Sequence, residues 1–323
     1  MAQKLIIHLG IDPSEYPHGA VDTVRSRAPD REVLVTTDPQ EIERHVGSIE
    51  ISLARFPHDL LARAERLRWF QQAGAGADWL DRHTQARELP FTLTSASGVH
   101  SIPISEHLFG FLLAIARGFP AAVRAQADRR WAQSRHEDVF ELAGKRVLVL
   151  GVGAIGERFA RLCTANDMEV VGLRRDPSKS AEGVSRMVGM DELAAELPHA
   201  DIVANTLPLT AETRHFLGRA EFAVIKHGSI VINIGRGATI DEIAMIEALR
   251  SGRLRAAGLD VFEQEPLPED SPLWEMENVL ITAHYSGMTP RYNERVFDIF
   301  LDNLDRYLNG EPLRNVVDKS LGY

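Results

Sequence analysis

The feature that most restricts what this chain can fold into is the run Gly151-Val152-Gly153-Ala154-Ile155-Gly156. It sits between a short apolar run, residues 147–150, and a helix-compatible stretch ending near Cys163. In that setting each glycine has a physical task. Gly151 permits the tight turn, Gly153 lets a phosphate approach the backbone, and Gly156 lets the helix pack on the sheet. A helix start also directs unpaired N–H groups at anionic phosphate. The run therefore predicts a parallel α/β sheet that binds a dinucleotide, with Gly151, Gly153, Ala154, Ile155 and Gly156 around the pyrophosphate.

The rest of the chain supports two such units. Residues 4–9, 33–36, 49–53, 69–72 and 91–95 read as strands, with helices expected over 60–67 and 79–87. Strands that alternate with helices imply a parallel sheet with crossovers. A long helix is expected over 103–117, with Ser101 as its cap and Pro103 in its first turn. The Arg-, Ala- and Gln-rich segment 119–142 delays the next strand and reads as an arm. A second series follows from Lys145, with strands at 147–150, 169–173, 201–205, 230–234, 257–261 and 279–282. Helices are expected near 190–197 and over 220–225, 241–249 and 291–308, the last ending at Asn309-Gly310.

Composition bounds the function. The length of 323 residues suits two domains, and 44% hydrophobic with 25% charged residues is ordinary for a globular enzyme. Cys163 is the single cysteine, so an intrachain disulfide is excluded and a reducing compartment is the simplest reading. A net charge of -10 disfavours nucleic acid as a partner. The longest apolar run, 108–116, is shorter than the roughly 20 residues a bilayer needs. A soluble, cytoplasmic protein without nucleic-acid or membrane partners is expected. With no cysteine pair and no His-x-x-x-His helix, no metal site is expected either.

An acid about 20 residues beyond the glycine run would accept the ribose hydroxyls of NAD. Here the strand 169–173 runs into Arg174-Arg175-Asp176, with Ser178 and Lys179 after it. A guanidinium suits a 2′-phosphate, so NADP(H) is expected in preference to NAD(H), with Arg174, Arg175 and Ser178 as contacts. The other reading is that the arginines are solvated and Asp176 binds ribose.

Three further residues, each just after an expected strand, complete a chemistry. Arg236 can hold a carboxylate and polarise a carbonyl. His284 can move a proton near neutral pH. Glu265 can hold the second imidazole nitrogen. Strand C-terminal ends are where open α/β sheets place ligands. This set predicts hydride chemistry on a 2-oxo or 2-hydroxy acid, with Arg236, Glu265 and His284 as the catalytic residues.

These motifs, in this order, resemble the D-isomer-specific 2-hydroxyacid dehydrogenase family. The resemblance also rests on residues 142–156, on Leu207-Pro208-Leu209-Thr210 with Glu212-Thr213, on Asn233-Ile234-Gly235-Arg236-Gly237, and on Gly258-Leu259-Asp260-Val261-Phe262-Glu263. It implies the same catalytic triad and an α/β fold of two Rossmann-like or flavodoxin-like parallel-sheet domains with a cleft between them. It implies a discontinuous substrate domain, 1–98 plus 286–323, and a cofactor domain, 99–285, with hinges at 97–100 and 286–289. Further cofactor contacts are implied at Leu207, Pro208, Thr213, Ile234, Gly235, Arg236, Asp260, His284 and Gly287, with Asp260 on the nicotinamide carboxamide. In Ala73-Gly74-Ala75-Gly76-Ala77-Asp78, the N–H groups of Ala75, Gly76 and Ala77 are implied to bind the substrate carboxylate beside Arg236 and His284.

A homodimer is implied, with the arm 101–142 as its contact and Trp131 within it. Glu265 in place of Gln argues against the formate dehydrogenase branch. The stretch Ser97-Gly98-Val99-His100 with Ile104-Ser105-Glu106-His107 is most similar to NADP-linked 2-ketoacid, glyoxylate or hydroxypyruvate reductases. His100 and His107 read as packing or hinge residues, and Arg55, Phe56, Trp79, Tyr285 and Met288 as candidates around the substrate side chain. Two alternatives are a phosphite-type dehydrogenase and a corepressor-like protein that senses NAD(P).

Overall fold

Runs such as Val147-Leu148-Val149-Leu150 and Ile230-Val231-Ile232 are apolar at every position, which suits strands covered on both faces. In the computed structural model, which describes residues 4–322, such runs pair in parallel within two separate sheets. Met1, Ala2, Gln3 and Tyr323, at the ends of the expected segments 1–98 and 286–323, lie outside the described residues. The chain divides into two compact units. One holds the residues up to His100 and from Thr289 onward; the other is Ser101–Met288.

The first unit contains β1 (Ile6–Gly10), β2 (Glu32–Val35), β3 (Ile49–Ala54), β4 (Trp69–Gln71) and β5 (Thr92–Thr94). Their order is β2-β1-β3-β4-β5, and every pairing is parallel. Register sets Ile7 beside Ile51 and Ile51 beside Trp69. On that face lies the helix Tyr292–Leu308, whose Val296, Phe297, Phe300 and Leu304 recur at helical spacing and are buried. Trp69 stacks on Phe300 with centroids 5.2 Å apart, and its Nε1–H donates to Thr94 Oγ1 at 2.7 Å. The buried Asn303 donates to Gln71 Oε1 and to the Arg314 carbonyl, and accepts from the Arg314 N–H. Burial and satisfied polar groups thus hold the chain's last helix on the first sheet.

Two expected helices of this unit are shorter and tighter. Residues 60–67 and 79–87 form the 3₁₀ turns His58–Arg63, Asp78–Asp81 and Thr84–Arg87. Segments this short do not sustain an α-helix without strong tertiary support. The helices Ala20–Arg27 and Pro39–His45, not read from the sequence, are present; Asp38 caps the second by accepting the Gln40 N–H.

The second unit contains β6 (Arg146–Leu150), β7 (Glu169–Leu173), β8 (Arg186–Val188), β9 (Ile202–Asn205), β10 (Ser229–Asn233), β11 (Leu254–Leu259) and β12 (Val279–Ile281). Their order is β12-β11-β10-β9-β6-β7-β8. The chain builds outward from β6 to β8, then crosses back to lay β9 on the other side of β6. The reversal lies between β6 and β9, which is where a doubly wound sheet opens a crevice for its ligand. The helix Ser101–Ala116 covers one face through Leu108, Phe111, Leu112 and Ile115, with Ser101 its first helical residue rather than a cap. The arm that follows is the helix Phe119–Ala127, extended chain and a 3₁₀ turn at His136–Asp138. It leaves Phe119, Val123 and Trp131 exposed, Trp131 at 94%. Among the described residues no single helix is long and apolar enough to cross a membrane.

Candidate active site

The glycine run performs the geometry its spacing predicts. Gly151 has φ +90, outside the range most side chains adopt, and its N–H donates to the Leu173 carbonyl at 2.9 Å. A Cβ on Gly156 would fall 2.6 Å from the Gly151 carbonyl oxygen, so the helix Ala154–Thr164 sits this close to β6 only with glycine there. A Cβ on Gly153 would meet nothing within 4 Å, which leaves the phosphate side of the turn open. The N–H groups of Ala154, Ile155 and Gly156 form the first helical turn, where they have no intrahelical acceptor. This cradle fits a pyrophosphate.

At the end of β7, Arg174 donates to the Lys179 carbonyl at 3.4 Å, and Arg175 pairs with Glu212 at 3.2 Å. Ser178 turns back on Asp176: its hydroxyl and N–H both reach Oδ1, at 2.6 and 3.2 Å. Those two hydrogen bonds, the hydroxyl's first, hold the Asp176 carboxyl below the usual carboxylate range. Asp176 therefore completes a local turn, and Arg174 and Arg175 are the side chains that leave the strand end.

The ends of β9 and β10 are pinned by buried amides. Asn205 Nδ2 donates to Asn233 Oδ1 at 3.1 Å and to Thr239 Oγ1 at 2.6 Å. Asn205 Oδ1 accepts the Leu207 N–H, and Asn233 Oδ1 accepts the Gly235 N–H. The Arg236 carbonyl accepts from Asn233 Nδ2 and Thr239 Oγ1. Arg236 itself is half-buried, so its guanidinium starts from a backbone fixed on both sides. Ile234 is buried, and Thr213 Oγ1 donates to the Pro208 carbonyl at 2.6 Å. Leu207, Pro208, Thr213, Ile234 and Gly235 thus gather at the strand ends beside the glycine run, where a Cβ on Gly235 would lie 2.5 Å from the Leu207 carbonyl oxygen.

His284 follows β12 in a left-handed conformation, φ 53, which costs a non-glycine residue about 1–3 kcal/mol. Its N–H donates to the Asp260 carbonyl at 2.8 Å. The Asp260 carboxylate is fully buried and gathers the same segment: Thr282 Oγ1 at 2.5 Å, Tyr285 N–H at 3.1 Å and Ser286 N–H at 3.1 Å. Burial pushes that carboxyl up, but the bonds from Ser286, Thr282 and Tyr285 outweigh it and hold it below its ordinary value. Side-chain Nδ1 of His284 lies 2.6 Å from Glu265 Oε2, while Glu265 Oε1 accepts the Phe262 N–H at 3.0 Å. An ionised carboxylate only accepts, so Nδ1 carries the proton of this contact and Nε2 is the ring nitrogen left outside it. Gly287, two residues past Tyr285, is half-buried.

In the first unit, the loop after β4 is held by its own carbonyls. Gln72 Nε2 donates to the Gly74 and Gly76 carbonyls at 3.1 and 2.8 Å, and Tyr292 Oη donates to the Ala73 carbonyl at 2.6 Å. Gln72 Oε1 accepts from Trp79 Nε1, and the Trp79 ring stacks on His58 at 3.9 Å. Among the described residues none accepts from the N–H groups of Ala75, Gly76 or Ala77. Phe56, expected near a substrate, is instead buried against Phe70 and His8.

Asn205, Thr239, Thr282 and Gln72 carry no site role in the sequence reading, and Asn233 enters it only as part of a motif. For all but Thr239, which lies in the 3₁₀ turn Gly237–Thr239, the signal that could have found them is a polar residue at or just after the end of an apolar strand run. Among the described residues no group of three or more His, Cys, Asp or Glu side chains is placed to hold a metal ion.

Residues 109–286 match the family model described as "D-isomer specific 2-hydroxyacid dehydrogenase, NAD binding domain". The chain is 35% identical over 294 residues to a D-3-phosphoglycerate dehydrogenase of Methanocaldococcus jannaschii, covering 89% of this chain and 55% of that protein. The chain thus spans about half the length of this relative. It is 32% identical to glyoxylate/hydroxypyruvate reductase B of Yersinia pseudotuberculosis, covering 93% of this chain and 91% of that one. Among solved structures it resembles an NADPH-dependent glyoxylate/hydroxypyruvate reductase of Sinorhizobium meliloti in complex with NADP and sulfate. There the TM-score is 0.80 at 30% identity, over 99% of this chain and 100% of that one. A glycine cradle at the sheet's reversal point, a paired His284 and Glu265, and a match over more than half the residues agree: the chain belongs to the D-isomer specific 2-hydroxyacid dehydrogenase family.

Proposed function

We propose that this protein is an NADP(H)-preferring reductase that converts a small 2-oxo acid into a D-2-hydroxy acid. The observation that carries this reading is the contact between His284 and Glu265, 2.6 Å long, on a strained turn at the end of the cofactor-unit sheet. Bound NADPH supplies the hydride. His284 donates the Nε2 proton to the substrate's carbonyl oxygen, and Glu265 stabilises the imidazolium that donates it. The Arg236 guanidinium holds the substrate carboxylate and polarises the carbonyl. In the first unit, the N–H groups of Ala75, Gly76 and Ala77 are the donors we assign to substrate binding. Asp260 offers Oδ2, which takes one N–H from Ser286, to the nicotinamide carboxamide.

The coenzyme preference rests on Arg174 and Arg175 at the end of β7 and on Asp176 being engaged by Ser178. The Sinorhizobium meliloti relative, NADPH-dependent by its name, supports it. The names of the Yersinia and Sinorhizobium proteins favour glyoxylate- or hydroxypyruvate-sized substrates. The exposed Phe119, Val123 and Trp131 favour a second copy of this chain as partner, making a homodimer. The lone buried thiol of Cys163 suits a reducing compartment, and we place the enzyme in the cytoplasm.

Replacing His284 by Ala tests the chemistry. Turnover should fall by about 10²–10⁴-fold, the usual worth of a general acid, while NADPH still binds. Turnover that survives would remove His284 as the proton donor.

A further inference from the structure

The segment carrying His284 is tied to the helix Ser101–Ala116 by a side chain that the proposed chemistry does not use. Thr282 Oγ1 lies 2.5 Å from Asp260 Oδ1 and 3.0 Å from His107 Nε2. An ionised Asp260 has no proton to give, so the single hydroxyl proton of Thr282 goes to Asp260. Thr282 can then only accept from His107, which places a proton on Nε2. The imidazole is seated edge-on against Phe111, with centroids 4.6 Å apart, and against Tyr285, at 5.7 Å. His107 therefore meets the 282–286 segment twice, once through Thr282 and once through the residue that follows His284.

Asp260 makes this link matter. It is fully buried, and among the described residues no Lys or Arg pairs with it. Its charge is carried by hydrogen bonds alone, from Thr282, Tyr285 and Ser286. A buried charge supported this way is sensitive to the orientation of each donor. A Thr282 hydroxyl with no donor behind it can rotate and give its proton elsewhere.

We propose that His107 is a positioning residue: by donating from Nε2 to Thr282 it fixes the hydroxyl that holds Asp260, and through Asp260 it sets the turn that aims His284. This rests on the reading of His284 as the proton donor. Burial lowers the tendency of His107 to protonate, against a smaller opposing pull from Asp260, consistent with a neutral donor.

The test compares full-length His107→Leu, His107→Gln and Thr282→Val with the parent and with His284→Ala, using NADPH and glyoxylate or hydroxypyruvate. Gln can place an amide N–H near the position of Nε2; Leu cannot. His107→Leu and Thr282→Val should each lower kcat about tenfold, the scale of one lost hydrogen bond, with KM for the 2-oxo acid within about twofold. His107→Gln should recover most of that loss. Equal kcat in His107→Leu and His107→Gln, or full kcat in Thr282→Val, would overturn the proposal while an inactive His284→Ala keeps the underlying reading intact. A His284→Ala enzyme that still turns over would overturn both. Should His107→Leu fail to fold, His107→Phe, which keeps a ring against Phe111 and Tyr285 but has no N–H, takes its place, and parental kcat there would overturn the proposal.

Discussion

Nδ1 of His284 lies 2.6 Å from Oε2 of Glu265, and the other Glu265 oxygen is held by the Phe262 N–H. The carboxylate is anchored on one side and presented to the imidazole on the other. Glu265→Gln keeps the shape and removes the charge, so it should lower kcat by about 10–100-fold and leave NADPH affinity unchanged. Steady-state rates with a fluorescence titration of NADPH check this. An unchanged kcat would make the contact merely structural.

Coenzyme choice should be separable from chemistry. If Arg174 holds a 2′-phosphate as proposed, Arg174→Ser removes a charge-assisted hydrogen bond worth about 1.5–3 kcal/mol, so kcat/KM for NADPH should fall about 10–100-fold while that for NADH holds. The ratio of the two kcat/KM values is the measurement. A parallel fall for both coenzymes would point to damage at the end of β7 instead.

Gln72 holds the Gly74 and Gly76 carbonyls and, through Trp79, leans on His58. Gln72→Leu should loosen the Ala75–Gly76–Ala77 N–H groups, raising KM for the 2-oxo acid about tenfold, as for one lost hydrogen bond, with little change in NADPH affinity. A KM that stays put in a folded variant would remove this loop from substrate binding.

His8 supplies a pH dependence of stability in the first unit. It is fully buried, with Nδ1 against Ser52 Oγ at 2.9 Å and Nε2 against the Thr36 carbonyl at 3.0 Å. Burial, only partly opposed by the Thr36 carbonyl, lowers its pKa from 6.5 to about 4. Between these values the unfolded chain binds the proton and the folded chain does not. The contribution is therefore fully present above pH 6.5 and is lost as pH falls toward 4, by about 3 kcal/mol over the window. Denaturation midpoints of the parent and His8→Gln between pH 7.5 and 4.5 should show a shallower acid decline in the variant. Parallel declines would contradict it.

What was legible in the sequence follows from how local each signal is. The strands of the second unit show as apolar runs because they are buried on both faces, and the glycine run shows because its turn and helix are made by adjacent residues. The three-residue edge strand Arg186–Val188 is too short to leave a pattern, and 60–67 and 79–87 become 3₁₀ turns because short segments take their form from tertiary contacts. Arg236, Glu265 and His284 could be picked out by residue type and place after a strand. The groups that hold them could not, since Asn205 bonds to Thr239 and Thr282 to Asp260, partners 34 and 22 residues apart in the chain.

The central claim is tested most directly by initial rates of nicotinamide oxidation, with NADPH and NADH in parallel, over glyoxylate, hydroxypyruvate, pyruvate and branched and aromatic 2-oxo acids. The account predicts turnover that favours NADPH and the smaller acids. Turnover favouring NADH would keep the His284 chemistry and contradict the assignment of Arg174 and Arg175. Silence across the panel with NADPH still bound would contradict the reductase itself.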